Sequence, residues 1–170
     1  APDLTRIVVA VDPGVTSGAK ADATGIMAAG LGRDGRAYVI ADQTLRGHEP
    51  LDWAKAAVAL YERLEADCIV AEVNQGGDMV AAVIRNVDAS VPVRSVRASR
   101  GKWLRAEPVA ALYEQGRVRH AGRFPELEDE MCDFGPNGLS DGHSPDRLDA
   151  LVWAVTDLLP RATGEPRIRD

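Results

Sequence analysis

Arg6-Ile7-Val8-Val9-Ala10-Val11-Asp12-Pro13-Gly14 is the stretch on which the fold turns. Its five consecutive apolar residues, four of them β-branched, end in an acid and then Pro-Gly. A run of that kind reads as a strand covered on both faces and followed by a turn. An acid at the exit of such a strand stands at an end of the sheet, where open α/β sheets bind their ligands.

Working outward, Thr24–Gly30 and Arg36–Asp42 are strand-like, and Arg33-Asp34-Gly35 between them is a hairpin signal. The first three strands therefore form an antiparallel meander. A helix is predicted from about Pro50 to Glu65, where Trp53, Ala57, Leu60 and Leu64 recur at helical spacing. Cys68–Val73 is a second buried strand. Residues 76–88 carry Val80, Val83, Ile84 and Val87 on one helical face, and Val91–Val96 is a short strand. Lys102–Gln115 reads as a helix closed by Gly116 despite Pro108, Arg117–His120 as a small strand, and Pro125–Cys132 as a short acidic helix. Asp133–Pro145, rich in Gly and Pro, is a loop or small hairpin. Ser144 is expected to cap a last helix running to about Leu159, with Pro145 at its first position.

The fold class that follows is α/β: a mixed sheet of five or more strands, in the order 3-2-1-4-5, flanked by helices. The right-handed crossover rule sets the fourth strand parallel beside the first. The length of 170 residues fits one domain, expected over 1–159, with a polar tail over 160–170.

Composition narrows the function. No apolar run approaches the ~20 residues a membrane helix requires. The two cysteines, Cys68 and Cys132, lack metal-type spacing, so a reduced cytosolic setting is the default. The net charge of −6 at first argues against a nucleic-acid partner. Residues 94–123, however, hold eight basic and two acidic groups; that segment is +6 and the remainder −12. Such asymmetry permits a phosphate-binding face on an acidic body, though a solvated surface would look the same.

Parallel neighbours ~4.8 Å apart would bring Asp12 and Glu72 to one end of the sheet. The last helix adds Asp146 and Asp149, whose spacing of three puts both on one face. Carboxylates converging in a partly buried place repel each other and stay ionised only beside a cation. An all-oxygen donor set suits Mg²⁺ or Mn²⁺. Each acid has a plain alternative: Asp12 as a turn residue, Asp146 as a helix-dipole partner, Asp149 as a salt-bridge partner of Arg147 or Arg105. Glu72 is harder to set aside, because a charge in a buried strand needs a partner.

Val11-Asp12-Pro13-Gly14, Ala71-Glu72 and Asp146-Arg-Leu-Asp149 resemble the acidic motifs of the ribonuclease H-like superfamily, and the first and last resemble RuvC-type resolvases. Ala21-Asp22-Ala-Thr-Gly25-Ile26, Glu72-Val-Asn-Gln-Gly76-Gly77-Asp78, Ser99-Arg100-Gly-Lys102 with Arg105-Ala-Glu107-Pro108, Tyr113-Glu-Gln-Gly116, and Ser144-Pro-Asp-Arg-Leu-Asp149-Ala-Leu-Val-Trp153-Ala are together similar to the nuclease domain of tailed-phage or gene-transfer-agent large terminase subunits. That resemblance implies endonucleolytic cutting of concatemeric double-stranded DNA during genome packaging. It implies two divalent cations, Mg²⁺ or Mn²⁺, held by Asp12, Glu72 and Asp149, with Asp146 as an additional or outer ligand and Asp22 and His143 as further candidates. Lys102, Arg100 and Arg105 would hold phosphates, and Gly76-Gly77 would open a helix whose free N–H groups approach one. The partners implied are a packaging ATPase domain, a small terminase subunit and a portal, in the host cytoplasm at the procapsid. No G-x-x-x-x-G-K-[ST] loop occurs, so the chain is read as the nuclease domain alone. Three rivals stand beside this reading: a junction resolvase on the same fold, an actin- or Hsp70-type phosphate-binding domain suggested by Asp12-Pro-Gly-Val-Thr16, and a catalytically inactive module that only binds DNA or protein.

Overall fold

A computed structural model describes residues 3–13, 23–47, 49–73 and 79–160. In chain order the elements are β1 (Leu4–Pro13), β2 (Ala23–Gly32), β3 (Ala37–Asp42), β4 (Leu45–Arg46), α1 (Pro50–Arg63), β5 (Cys68–Val73), α2 (Met79–Val87), β6 (Val93–Arg97), α3 (Lys102–Glu114), β7 (Val118–His120), α4 (Pro125–Asp133) and α5 (Asp146–Leu158). The sheet runs β6-β5-β1-β2-β3-β7, with the two-residue β4 paired to β2. Five strands keep the expected 3-2-1-4-5 order, and the small strand expected at Arg117–His120 is β7, which extends the sheet beyond β3. Two short strands complete a seven-stranded sheet.

β1 and β2 are antiparallel, as are β2 and β3, whereas β5 lies parallel to β1 and β6 parallel to β5. Each parallel step has a helix between its strands: α1 before β5, α2 before β6. The period-two alternation of strand side chains then sorts the core into two halves. Val9, Val11, Ile26, Ala28, Ile69 and Ala71 face α1 and α2. Val8, Ala10, Met27, Ala29, Cys68 and Val70 face α3, α4 and α5. Stepping on by two from Ala10 and from Val70 places Asp12 and Glu72 on the α5 side of the sheet.

α5 is the helix that closes that face. Leu148, Ala150, Leu151, Val152, Ala154, Val155 and Leu158 are all buried against it. Its first turn comes unusually close to β2 at Gly25, the residue opposite Asp12 in the β1–β2 register. A Cβ built on Gly25 would lie 2.1 Å from the Asp146 carbonyl oxygen and 3.2 Å from the Ala150 Cβ. Only a residue without a side chain admits α5 at that distance.

The start of α5 departs from expectation. Pro145 occupies the N-cap position and no side chain of that residue caps the helix. Ser144 does not cap it; its hydroxyl accepts from Lys102 Nζ at 2.7 Å. The cap comes instead from α4, where Glu130 Oε2 accepts the Leu148 N–H at 3.1 Å. Arg147 braces the same corner, with Nε 2.9 Å from Asp42 Oδ2 and NH1 3.4 Å from Glu130 Oε1. At the other end, Asp157 receives Arg94 at 2.7 Å and Arg6 at 3.2 Å. The segment after α4 is a small hairpin, with Gly135 bridged to Gly138 and Asp133 accepting from both Ser140 N and Oγ at 2.9 Å.

Candidate metal centre

Asp12 is carried out of the sheet by β1, and Asp146 and Asp149 are presented by the first turn of α5. Helical spacing puts the last two side by side, and the Gly25 gap lets that turn reach the end of β1. One carboxylate oxygen from each of the three lies within 4.8 Å of the others, and all three residues are buried. Asp12 Oδ2 has no hydrogen-bond partner.

Such a cluster is costly without a cation. Burial is the main force holding the Asp12 carboxyl well above the usual carboxylate range; the neighbouring Glu72 and Asp149 push it further, and Lys102 opposes them. Burial raises Asp149 as well, with Lys102 and Arg105 working against it. Glu72 stands outside the three-aspartate group but close enough to Asp12 to raise its carboxyl further. Continuing the β1–β5 register by one step sets the two residues side by side.

The cationic neighbours come from α3. Lys102 Nζ is 2.6 Å from Asp149 Oδ2, off the direction of a good hydrogen bond, so that oxygen still has no well-aligned donor. Burial alone would lower the Lys102 pKa, but the charges of Asp149, Asp12 and Asp146 outweigh it and raise it. Lys102 thus lies among the acids, at the edge of the cluster. Asp149 pairs with Lys102, and Arg147 is spent on Asp42 and Glu130. Arg105, three residues after Lys102, is only 10% exposed; its guanidinium stacks on Trp153 at 4.9 Å and reaches within 3.6 Å of Glu72. Arg100, two residues before α3, is exposed.

Among the sequence candidates, His143 is not gathered in: its Nδ1 faces Asp141 at 3.2 Å in the loop before α5. Asp22, Gly76 and Gly77 lie outside the described residues. Sequence reasoning gave no role to Glu130, nor to Trp153, although Trp153 falls in the block that begins at Ser144. The first is one acid among several in α4, and only the contact with Leu148 N–H marks it. The second repeats the Asp149 face one turn later, a spacing that could have singled it out.

Three buried aspartates with an unpartnered oxygen fit a small, hard, oxygen-seeking cation. The model of the terminase RNase H-like domain family matches residues 9–158, nearly the whole described chain. The chain belongs to the terminase RNase H-like domain family. Among solved structures this terminase domain is similar to the large terminase nuclease from thermophilic phage G20c with bound magnesium, at 18% identity and a TM-score of 0.71, covering 92% of this chain and 82% of that one. The same nuclease is also known with zinc or cobalt bound. The HK97 bacteriophage large terminase matches at 16% identity and 0.61, over 91% of this chain and 40% of that one. The yeast mitochondrial Holliday junction resolvase Ydc2 matches at 12% and 0.56, over 96% and 81%. At these identities the likenesses establish a shared ribonuclease H-like fold. No curated protein sequence matches. The family and the fold together support a nuclease role in phage DNA packaging. Among the described residues no helix is long and apolar enough to cross a membrane.

Proposed function

We propose that this terminase domain is a metal-dependent endonuclease that cuts double-stranded concatemeric DNA during viral genome packaging. The observation that carries the reading is the buried group Asp12, Asp146 and Asp149 within 4.8 Å, beside Glu72. Two divalent ions, Mg²⁺ or Mn²⁺, would supply charge neutralisation at the reacting phosphate and a stronger nucleophile from water. Asp12 would hold both, because it lies between the sheet and α5. Asp149 would hold one, with Asp146 beside it, and Glu72 would hold the other and orient the attacking water. Arg100 and Lys102 would steady the phosphates on either side of the cut, and such contacts position a duplex without reading its bases. Arg105 is directed at Glu72. The domain would act beside a packaging ATPase domain, with a small terminase subunit and a portal as further partners, at the procapsid in the host cytoplasm. The G20c relative carries bound magnesium on the same fold, which supports the choice of ion.

Plasmid digestion tests this directly. Cleavage is expected with Mg²⁺ or Mn²⁺ and none with EDTA. Asp12→Ala and Glu72→Ala should each abolish it while the circular dichroism spectrum stays that of the folded domain. Nicking that survives in both folded variants, or in EDTA, would refute the site. The likeness to the Ydc2 fold favours one rival, a junction resolvase. Preferential cutting of a four-way junction over linear duplex would select it, and metal binding with no cutting of either would select an inactive binding module.

A further inference from the structure

Glu72 is the acid that the three-aspartate group leaves out, and it is gripped from elsewhere. Trp153 Nε1 donates to Glu72 Oε2 at 3.2 Å. The Arg105 guanidinium carbon lies 4.9 Å from the Trp153 ring centre, within the reach of a cation–π contact, and its NH1 is 3.6 Å from Glu72 Oε1. Trp153 is 7% exposed and the Arg105 side chain 10%. On α5, Trp153 follows Asp149 by four residues; on α3, Arg105 follows Lys102 by three. Each helix that faces the acids therefore supplies a second residue, one turn on, that faces Glu72.

We propose that Trp153, with Arg105 stacked on it, is a positioning residue for Glu72: it fixes the direction of the Glu72 carboxylate toward the divalent-ion site. The proposal rests on the nuclease reading above. Its physical basis is the division of labour between the two partners. A glutamate beside Asp12 is repelled by it and has free torsions with which to swing away. An indole N–H can only donate, so it holds an acceptor oxygen and cannot exchange a proton with it. Arg105 stays charged at any working pH. At 3.6 Å, with Nε and NH1 making no hydrogen bond, it supplies attraction without direction. The direction comes from the indole. Partners of this kind orient ligand side chains, and their loss commonly weakens metal affinity about tenfold or more.

Calorimetric titration with Mn²⁺, with no DNA present, tests this in four proteins: wild type, Trp153→Phe, Glu72→Gln and the double variant. Phenylalanine keeps the stacking surface and removes the N–H. Trp153→Phe should weaken Mn²⁺ binding about tenfold in the wild-type background and leave it nearly unchanged in the Glu72→Gln background. Unchanged affinity in folded Trp153→Phe, or an equal loss in both backgrounds, overturns the proposal alone. A wild-type protein that binds no Mn²⁺ overturns the nuclease reading and this proposal with it. A second measurement needs no change at residue 153. The three tryptophan indole resonances, assigned with Trp53→Phe and Trp103→Phe, are followed during Mg²⁺ titration of the wild type. The Trp153 resonance should move and that of Trp53 should not; a stationary Trp153 signal overturns the proposal even if Trp153→Phe fails to fold.

Discussion

At Asp12 the fold buries a carboxyl group beside two others and leaves one of its oxygens without a partner. The native state holds the Asp12 and Asp149 protons to higher pH than the unfolded chain does, because both groups are raised by burial. Their contribution to stability is therefore complete below the ordinary carboxylate range and is lost as pH rises through the raised native values. Asp12→Asn removes one such charge at constant shape. In EDTA at pH 7 it should melt above wild type, by about 2–4 °C for each kcal/mol regained, and the gap should close toward pH 4. Mg²⁺ should raise the melting temperature of wild type but not of the variant. An Asp12→Asn protein that melts below wild type at pH 7 in EDTA would contradict this. Gly25 offers a companion test. Its Cβ would meet the Asp146 backbone, which cannot rotate away, whereas a Cβ on Gly30 would meet the end of the Leu4 side chain at 2.6 Å. Gly25→Ala should cost about 1–3 kcal/mol and abolish the Mg²⁺-induced rise in melting temperature, whereas Gly30→Ala should cost less and leave that rise intact.

The elements show how much of this was legible beforehand. The ends of α1, α3 and α4 fall within a few residues of the expected ones: α1 buries a stripe of Trp53, Ala54, Ala57, Val58 and Leu60, whereas α3 buries only Val109 and Leu112 and is marked by Gly116 after its end, and α4 buries Leu127 alone. The β1–β5 pairing followed from chain order and handedness, and it delivered Asp12 and Glu72 to the same end of the sheet. β4 has two residues, too few to show any period. The Ser144 cap failed for a physical reason: Pro145 takes the cap position, and Glu130 on α4 supplies the missing acceptor across 18 residues of chain. Local spacing cannot announce a partner that distant, and the Lys102–Asp149 and Trp153–Glu72 contacts were hidden in the same way. Glu130→Ala should accordingly lower stability by about 1–3 kcal/mol, as removal of a buried acceptor does. Glu130→Gln, which keeps an oxygen for the Leu148 N–H, should recover most of it. Urea denaturation of both variants measures the difference, and equal losses would show that charge rather than capping is what Glu130 contributes.

Across the whole molecule the charge is divided rather than uniformly acidic. The segment 94–123 is +6 in a chain of −6, yet Arg94 is committed to Asp157 and Arg105 is covered. Few cations near the acids remain to meet a duplex, so DNA affinity should fall with salt along a shallow slope, about −2 to −3 on logarithmic axes. Arg100→Ala should make that slope shallower by about one, in filter binding with Ca²⁺ in place of Mg²⁺. A slope unchanged by the substitution would remove Arg100 from the interface. The anchoring of α5 bears on the same molecule-wide scale. Asp157 ties its far end to Arg6 at the root of β1 and to Arg94 on β6, next to the strand that carries Glu72. Strands and helix are thereby joined at both extremities, like two jaws of a clamp sharing one hinge pin. Loss of that pin in Asp157→Asn should therefore loosen the far end of α5 from both strands.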